Sequence, residues 1–185
     1  GDIIDCKCEY ISDKLIALNT IKKKVFYISG NHDLFYGLQD IKSFLNNFIL
    51  LDNSYTLFEY KGSKIALAGL SDRFSKLFKI KREENKIINF LIKREESIFL
   101  AHQPQDYKFA LKANAKLFLC GHTHGGQIYP FHYLVRIFQP FLSGLFYIKN
   151  TAIYVSRGLG YWGINFRYKA NSEITLLKLT SKSVE

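Results

Sequence analysis

His32, His102, His122 and His124 each follow a short apolar run and stand among Asp, Asn, Gln, Thr and Gly. KVFYIS leads into Gly30-Asn31-His32-Asp33, SIFLA into His102-Gln103-Pro104, and KLFLC into Gly121-His122-Thr123-His124-Gly125-Gly126. The chain itself opens on Gly1-Asp2, ahead of Ile3 and Ile4. Imidazole and carboxylate together suit borderline divalent ions such as Zn, Mn and Fe. His122 and His124 lie two apart, so in an extended segment they share a face; past a strand, a turn can instead aim them at two neighbouring ions. The glycines at 30, 121, 125 and 126 permit tight turns and close backbone approach to a ligand. Taken singly, each string has an ordinary structural explanation: GNHD reads as a turn, and His102 as a core histidine. Taken in order they imply one shared site, because ligands in open α/β sheets bind outside the carboxyl ends of the strands. His132 falls outside this set, inside an aromatic segment.

The elements that must position these residues alternate between strand and helix. Strands are expected over 24–29, 97–101, 116–120, 152–156 and 173–179, and a hairpin over 55–60 and 64–70 around Lys61-Gly62-Ser63. Helices are expected over 41–47, 83–95 and 107–113. In the second of these Ile87, Ile88, Leu91 and Ile92 share a face. Short apolar strands alternating with helices predict a layered α/β fold, and the hairpins make its sheets mixed. Residues 129–147 (YPFHYLVRIFQPFLSGLFY) break the pattern, with two prolines and one charge, Arg136. They read either as a loop packed over the core or as an exposed apolar surface that meets lipid or another subunit.

At 185 residues the chain is expected to form a single domain, 1–185, and to bury a sizeable core. It contains no apolar run long enough to span a bilayer, and no signal peptide is visible in it. The net charge of +10 and pI near 9.4 would steer anionic partners to the surface, or reflect a solvated lysine-rich face. No basic run with interleaved aromatics is present, which argues against nucleic acid as the partner. Cys6, Cys8 and Cys120 form no disulfide framework; Cys120, in an apolar run, is expected to pack as a small hydrophobe.

The ordered set GD, GNHD, HQP and GHTH resembles the calcineurin-like metallophosphoesterases across essentially the whole chain. The string GHTHGGQIYP, with Gly158-Leu159-Gly160 and Glu173-Ile174-Thr175, is similar to the bacterial branch of YaeI- and YkuE-type phosphodiesterases. The resemblance implies a layered metallophosphoesterase-type β-sandwich of mixed sheets flanked by helices. It implies two divalent metal ions, Mn, Zn or Fe, with Asp2 bridging them. Asn31, His102 and His122 match ligands of the second ion, and His124 a ligand of the first. His32 matches the histidine that protonates the leaving oxygen, and Asp33 the acidic partner that can orient it. The implied reaction is hydrolysis of a phosphodiester or pyrophosphate bond, with lipid-linked substrates one option and membrane contact through 129–147 another. The implied setting is bacterial, cytoplasmic or membrane-associated.

The family begins with a D-x-H motif on a first β-strand, and neither precedes Gly1. With no Met in the chain as well, we expect a fragment whose first metal site is half complete, inactive or weakly active by itself within a competent parent hydrolase. Two rivals follow: a metal-poor binding module of the same fold, and a nuclease of the same fold motivated by the basic pI.

Overall fold

The computed structural model describes residues 1–60 and 62–180. Along β1 (Val25–Tyr27) and the residue after it, side chains alternate between two faces. Tyr27 joins Leu15, Ile41 and Leu45 under the helices α1 (Ser12–Leu18) and α3 (Leu38–Phe44). Phe26 and Ile28 turn the other way, toward Leu51, Leu67 and Phe58, with the rings of Phe26 and Phe58 stacked at 6.4 Å. β1 pairs in parallel with β2 (Phe48–Leu50), forming a two-stranded sheet.

The second sheet has six strands: β3 (Ser54–Tyr60), β4 (Ser63–Gly69), β5 (Ser97–Leu100), β6 (Leu117–Cys120), β7 (Gly144–Ile148) and β8 (Thr151–Val155). Their order is β3-β4-β5-β6-β8-β7. β4, β5, β6 and β8 run parallel, and antiparallel hairpins close both edges. Parallel strands buried on both faces read as unbroken apolar runs, which is why SIFLA and KLFLC stand out in the sequence. Helices α4 (Glu84–Leu91) and α5 (Tyr107–Lys112) cover one face. There Phe99, Phe118, Ile87, Leu91 and Ile153 are fully buried. Helices, six-stranded sheet, two-stranded sheet and helices give the layered α/β sandwich with a mixed sheet that the resemblance implied. Cys120 packs into this core, and burial pushes its thiol well up.

Four expectations need correction. α4 ends at Leu91, so Ile92 is the residue that terminates it, and its side chain is 52% exposed rather than on the buried face. Residues 173–179 form no strand. Both sides of β8 are taken, by β6 and β7, so the segment is held through Glu173 and Thr175 on the Tyr154 hydroxyl instead of a ladder. The segment 129–147 is not a loop over the core. It contains α6 (His132–Phe138) and β7, and although Phe141, Phe146 and Ile148 pack inward, α6 buries no residue. Finally, α1 and α2 (Asn31–Tyr36) form where no helix was expected. Among the described residues no helix is long and apolar enough to cross a membrane.

Candidate metal centre

Three chain segments meet where strands end. Asp2 follows the first residue, His102 lies two residues past β5, and His122 two residues past β6. The His102 Nε2 lies 3.0 Å from Asp2 Oδ2 and 3.1 Å from His122 Nδ1. One ligand atom from each of these three residues lies within 4.8 Å of the others. The His102 Nε2 can carry at most one proton to share between two acceptors, so three ligand atoms converge where a cation could replace that proton. Asn31 and His32, the first two residues of α2, complete the wall. The His32 backbone N–H donates to Asp2 Oδ1 at 2.9 Å. Asn31 Oδ1 and His32 Nδ1 are buried without a hydrogen-bond partner. Buried polar atoms are ordinarily satisfied; here an oxygen and a nitrogen wait beside a carboxylate and two imidazoles. This donor set fits a divalent ion of the borderline kind.

The charges agree with that fit. Burial would raise the Asp2 carboxyl, but the His102 hydrogen bond and the charges of His102 and His32 hold it well below the usual carboxylate range. Burial and the neighbouring His102 push His122 down to about 3. At neutral pH Asp2 is therefore ionised and His122 uncharged, the protonation states that metal binding requires.

Local backbone serves the same convergence. Asp2, His122 and His124 adopt φ of 56°, 70° and 51°, a region that non-glycine residues enter at a cost. Thr123 steadies the turn between the two histidines: its hydroxyl donates to the Leu142 carbonyl and accepts from the Gly125 amide. A Cβ at Gly30 would collide with the backbone nitrogen of Asp2 as well as its carboxylate, so the two segments approach this closely only with glycine there.

Two further candidates stand apart from this cluster. The Asp33 carboxylate faces backbone amides, not the His32 ring. This fully buried group accepts from the amides of Asp2, Ile3, Ile4 and Gly30, at 2.7, 2.7, 3.2 and 2.9 Å. The amides of the opening segment point inward with no strand partner, and a carboxylate is the group that satisfies several at once. Asp33 therefore pins Asp2 in place. His124, which the resemblance assigns to the other ion, stands outside the group of Asp2, His102 and His122. Its Nδ1 lies 3.1 Å from the Arg167 guanidinium, whose charge, after burial, lowers the His124 pKa. Arg167 also donates to the carbonyls of His124, Arg157 and Ala170. It was absent from the sequence reading, and no motif marks it. Gln103, which donates to the buried Asp72 carboxylate behind His102, was likewise visible only as part of HQP.

Residues 1–126 match the family model for the calcineurin-like phosphoesterase. The chain belongs to that family. It is 40% identical over 192 residues to an uncharacterized metallophosphoesterase of Helicobacter pylori, covering 99% of this chain and 50% of that protein. It is 35% identical to the metallophosphoesterase YkuE of Bacillus subtilis, covering 98% of this chain and 66% of YkuE. The chain thus spans about half the length of its Helicobacter relative. Among solved structures, the Thermus thermophilus sulfate thiohydrolase SoxB superposes with a TM-score of 0.56 at 12% identity, over 82% of this chain and 31% of that one. That likeness is one of fold.

Proposed function

We propose that this site hydrolyses a phosphodiester or pyrophosphate bond with two divalent ions and a histidine general acid. The observation that carries the reading is the convergence of Asp2, His102 and His122 beside the unpartnered Asn31 Oδ1 and His32 Nδ1. Asp2, Asn31, His102 and His122 would hold one ion, and Asp2 with His124 would contribute to the other. Divalent ions bound there would polarise the phosphoryl group and supply an activated water. His32 stands at the start of α2 with its backbone fixed on Asp2, and its Nδ1 has no protein partner to compete for a proton. From there it gives the leaving oxygen its proton. His124 would join the ligands with its ring turned from the Arg167 guanidinium.

The reading extends to lipid-linked substrates and to contact of residues 129–147 with a membrane surface. It is supported by Ile137 and Phe138 on α6, exposed at 72% and 71%, since contiguous exposed apolar side chains mark lipid or partner sites. The test is turnover of an aryl phosphodiester by the protein carrying this chain, with Mn²⁺ supplied. Replacing the general acid, His32→Ala, lowers the rate by about 10²–10⁴-fold. An unchanged rate removes His32 from the chemistry, and no turnover of phosphodiester or pyrophosphate removes the enzymatic reading.

A further inference from the structure

The candidate ligands line only part of a groove of about 560 Å³. Asp2, Asn31, His32, His122 and His124 form its polar end. Its apolar walls come from two elements far apart in sequence: Val135 and Phe138 of α6 with Phe131 just before it, and Trp162 and Ile164 of the loop after β8. Gln127 joins the two walls. It is buried at the turn before α6, its side-chain amide donates to the Trp162 and Ile164 carbonyls at 2.8 and 3.2 Å, and its oxygen accepts from the Trp162 amide. The walls are therefore built into the fold. Yet the fold leaves them wet: Phe138, Ile164 and Trp162 are 71%, 68% and 60% exposed.

An occupant must satisfy both ends. A phosphoryl group suits the ligand end, and the chain's net charge of +10 favours an anion. Apolar walls of this extent gain free energy only by losing water to hydrocarbon. The geometry points to an amphiphilic phosphoester as the substrate class: its phosphoryl group lies among Asp2, Asn31, His32 and His122, and one hydrocarbon chain runs between α6 and residues 162–164. The placement of the phosphoryl group rests on the proposed metal centre, whereas the placement of the chain rests on the groove alone.

Trp162 is the only tryptophan in the chain, so intrinsic fluorescence reads the groove directly and needs no turnover. Butyl, octyl and dodecyl phosphonates, which cannot be hydrolysed, are titrated below their micelle-forming concentrations. A dodecyl phosphonate brominated at its far end serves as quencher. Affinity is expected to rise by up to about fourfold for each methylene buried, with saturable quenching of Trp162. Phe138→Ser and Ile164→Ser, both at exposed positions that tolerate polar groups, each weaken dodecyl phosphonate by about 10-fold or more while butyl phosphonate binding stays flat across the three proteins. Equal affinity along the series, no quenching, or quenching only once micelles form overturns the single-chain groove. Aryl phosphodiester turnover, measured in parallel, separates the two readings. Chain-length dependence without turnover leaves the groove standing and sinks the hydrolase; turnover without chain-length dependence does the reverse.

Discussion

Replacing Asp33 by Asn tests how the opening segment of the chain is held. The carboxylate is fully buried, and each of its oxygens accepts two amides: Ile3 and Ile4 on Oδ1, Asp2 and Gly30 on Oδ2. Asn is nearly isosteric, but it keeps one oxygen and turns an NH₂ toward two N–H donors. Two charge-assisted hydrogen bonds are lost at about 1.5–3 kcal/mol each, so Asp33→Asn should cost about 3–6 kcal/mol. That is a large share of the roughly 5–15 kcal/mol that stabilises a domain. With a urea m-value of about 2 kcal/mol/M, the unfolding midpoint should fall by about 1.5–3 M. Because the Asp2 amide hangs from Asp33, Mn²⁺ affinity should drop too, by about 10–100-fold as for other groups that orient a ligand. A midpoint within about 0.5 M of the parent, with metal affinity intact and only turnover reduced, would refute this account. Asp33 would then be the partner of His32 after all.

Three further outcomes are expected. Removing a converging ligand, His102→Ala or His122→Ala, should weaken Mn²⁺ or Zn²⁺ binding by at least about 10-fold in calorimetry. His132→Ala, outside the cluster, should not; equal loss in all three would dissolve the proposed centre. Arg82 donates to Asp106 at 2.6 Å and to the Ser71 carbonyl at 2.9 Å with both side chains buried, so Arg82→Met should cost about 3–5 kcal/mol in urea unfolding; a change below about 1 kcal/mol would mean the pair contributes nothing. Burial, with the charges of Asp33 and Asp52, pushes the Tyr27 phenol up to about 12. Its neutral form thus contributes fully below the ordinary value of 10, and that contribution drains away as pH rises to 12. About 2–3 kcal/mol should be lost across that window. Tyr27→Phe should flatten the profile there, and a profile identical to the parent's would exclude Tyr27 as the cause.

Most of the strands were legible because each is a local signal. Val25–Tyr27, Ser97–Leu100 and Leu117–Cys120 are apolar runs bounded by polar turns, and their short length with those flanks identifies them as strands. The segment 173–179 carries similar residues and forms no strand. Pairing requires a free edge, and which edge is free is a property of the assembled sheet. α2 was hidden for a related reason. Asn and Asp favour turns, and GNHD becomes a helix start only because Asp33 reaches back to the Gly30 amide while holding the opening segment.

The candidate site divides along the same line. Residue type and order singled out Asp2, Asn31, His32, Asp33, His102, His122 and His124 as candidates, because strand ends are where a layered α/β fold exposes polar side chains; their separate roles came from the family resemblance. Tertiary structure decided their partners. Asp33 binds amides 29 to 31 residues away rather than the adjacent His32. Arg167 reaches His124 across 43 residues. α6 and residues 162–164 share one groove through Gln127. A hydrogen bond goes to whichever donors remain unpaired after sheets and loops pack, and an apolar wall forms from whichever side chains the core leaves out. Neither is a property of any window of sequence, so the chemistry was written locally and its geometry was set by the fold.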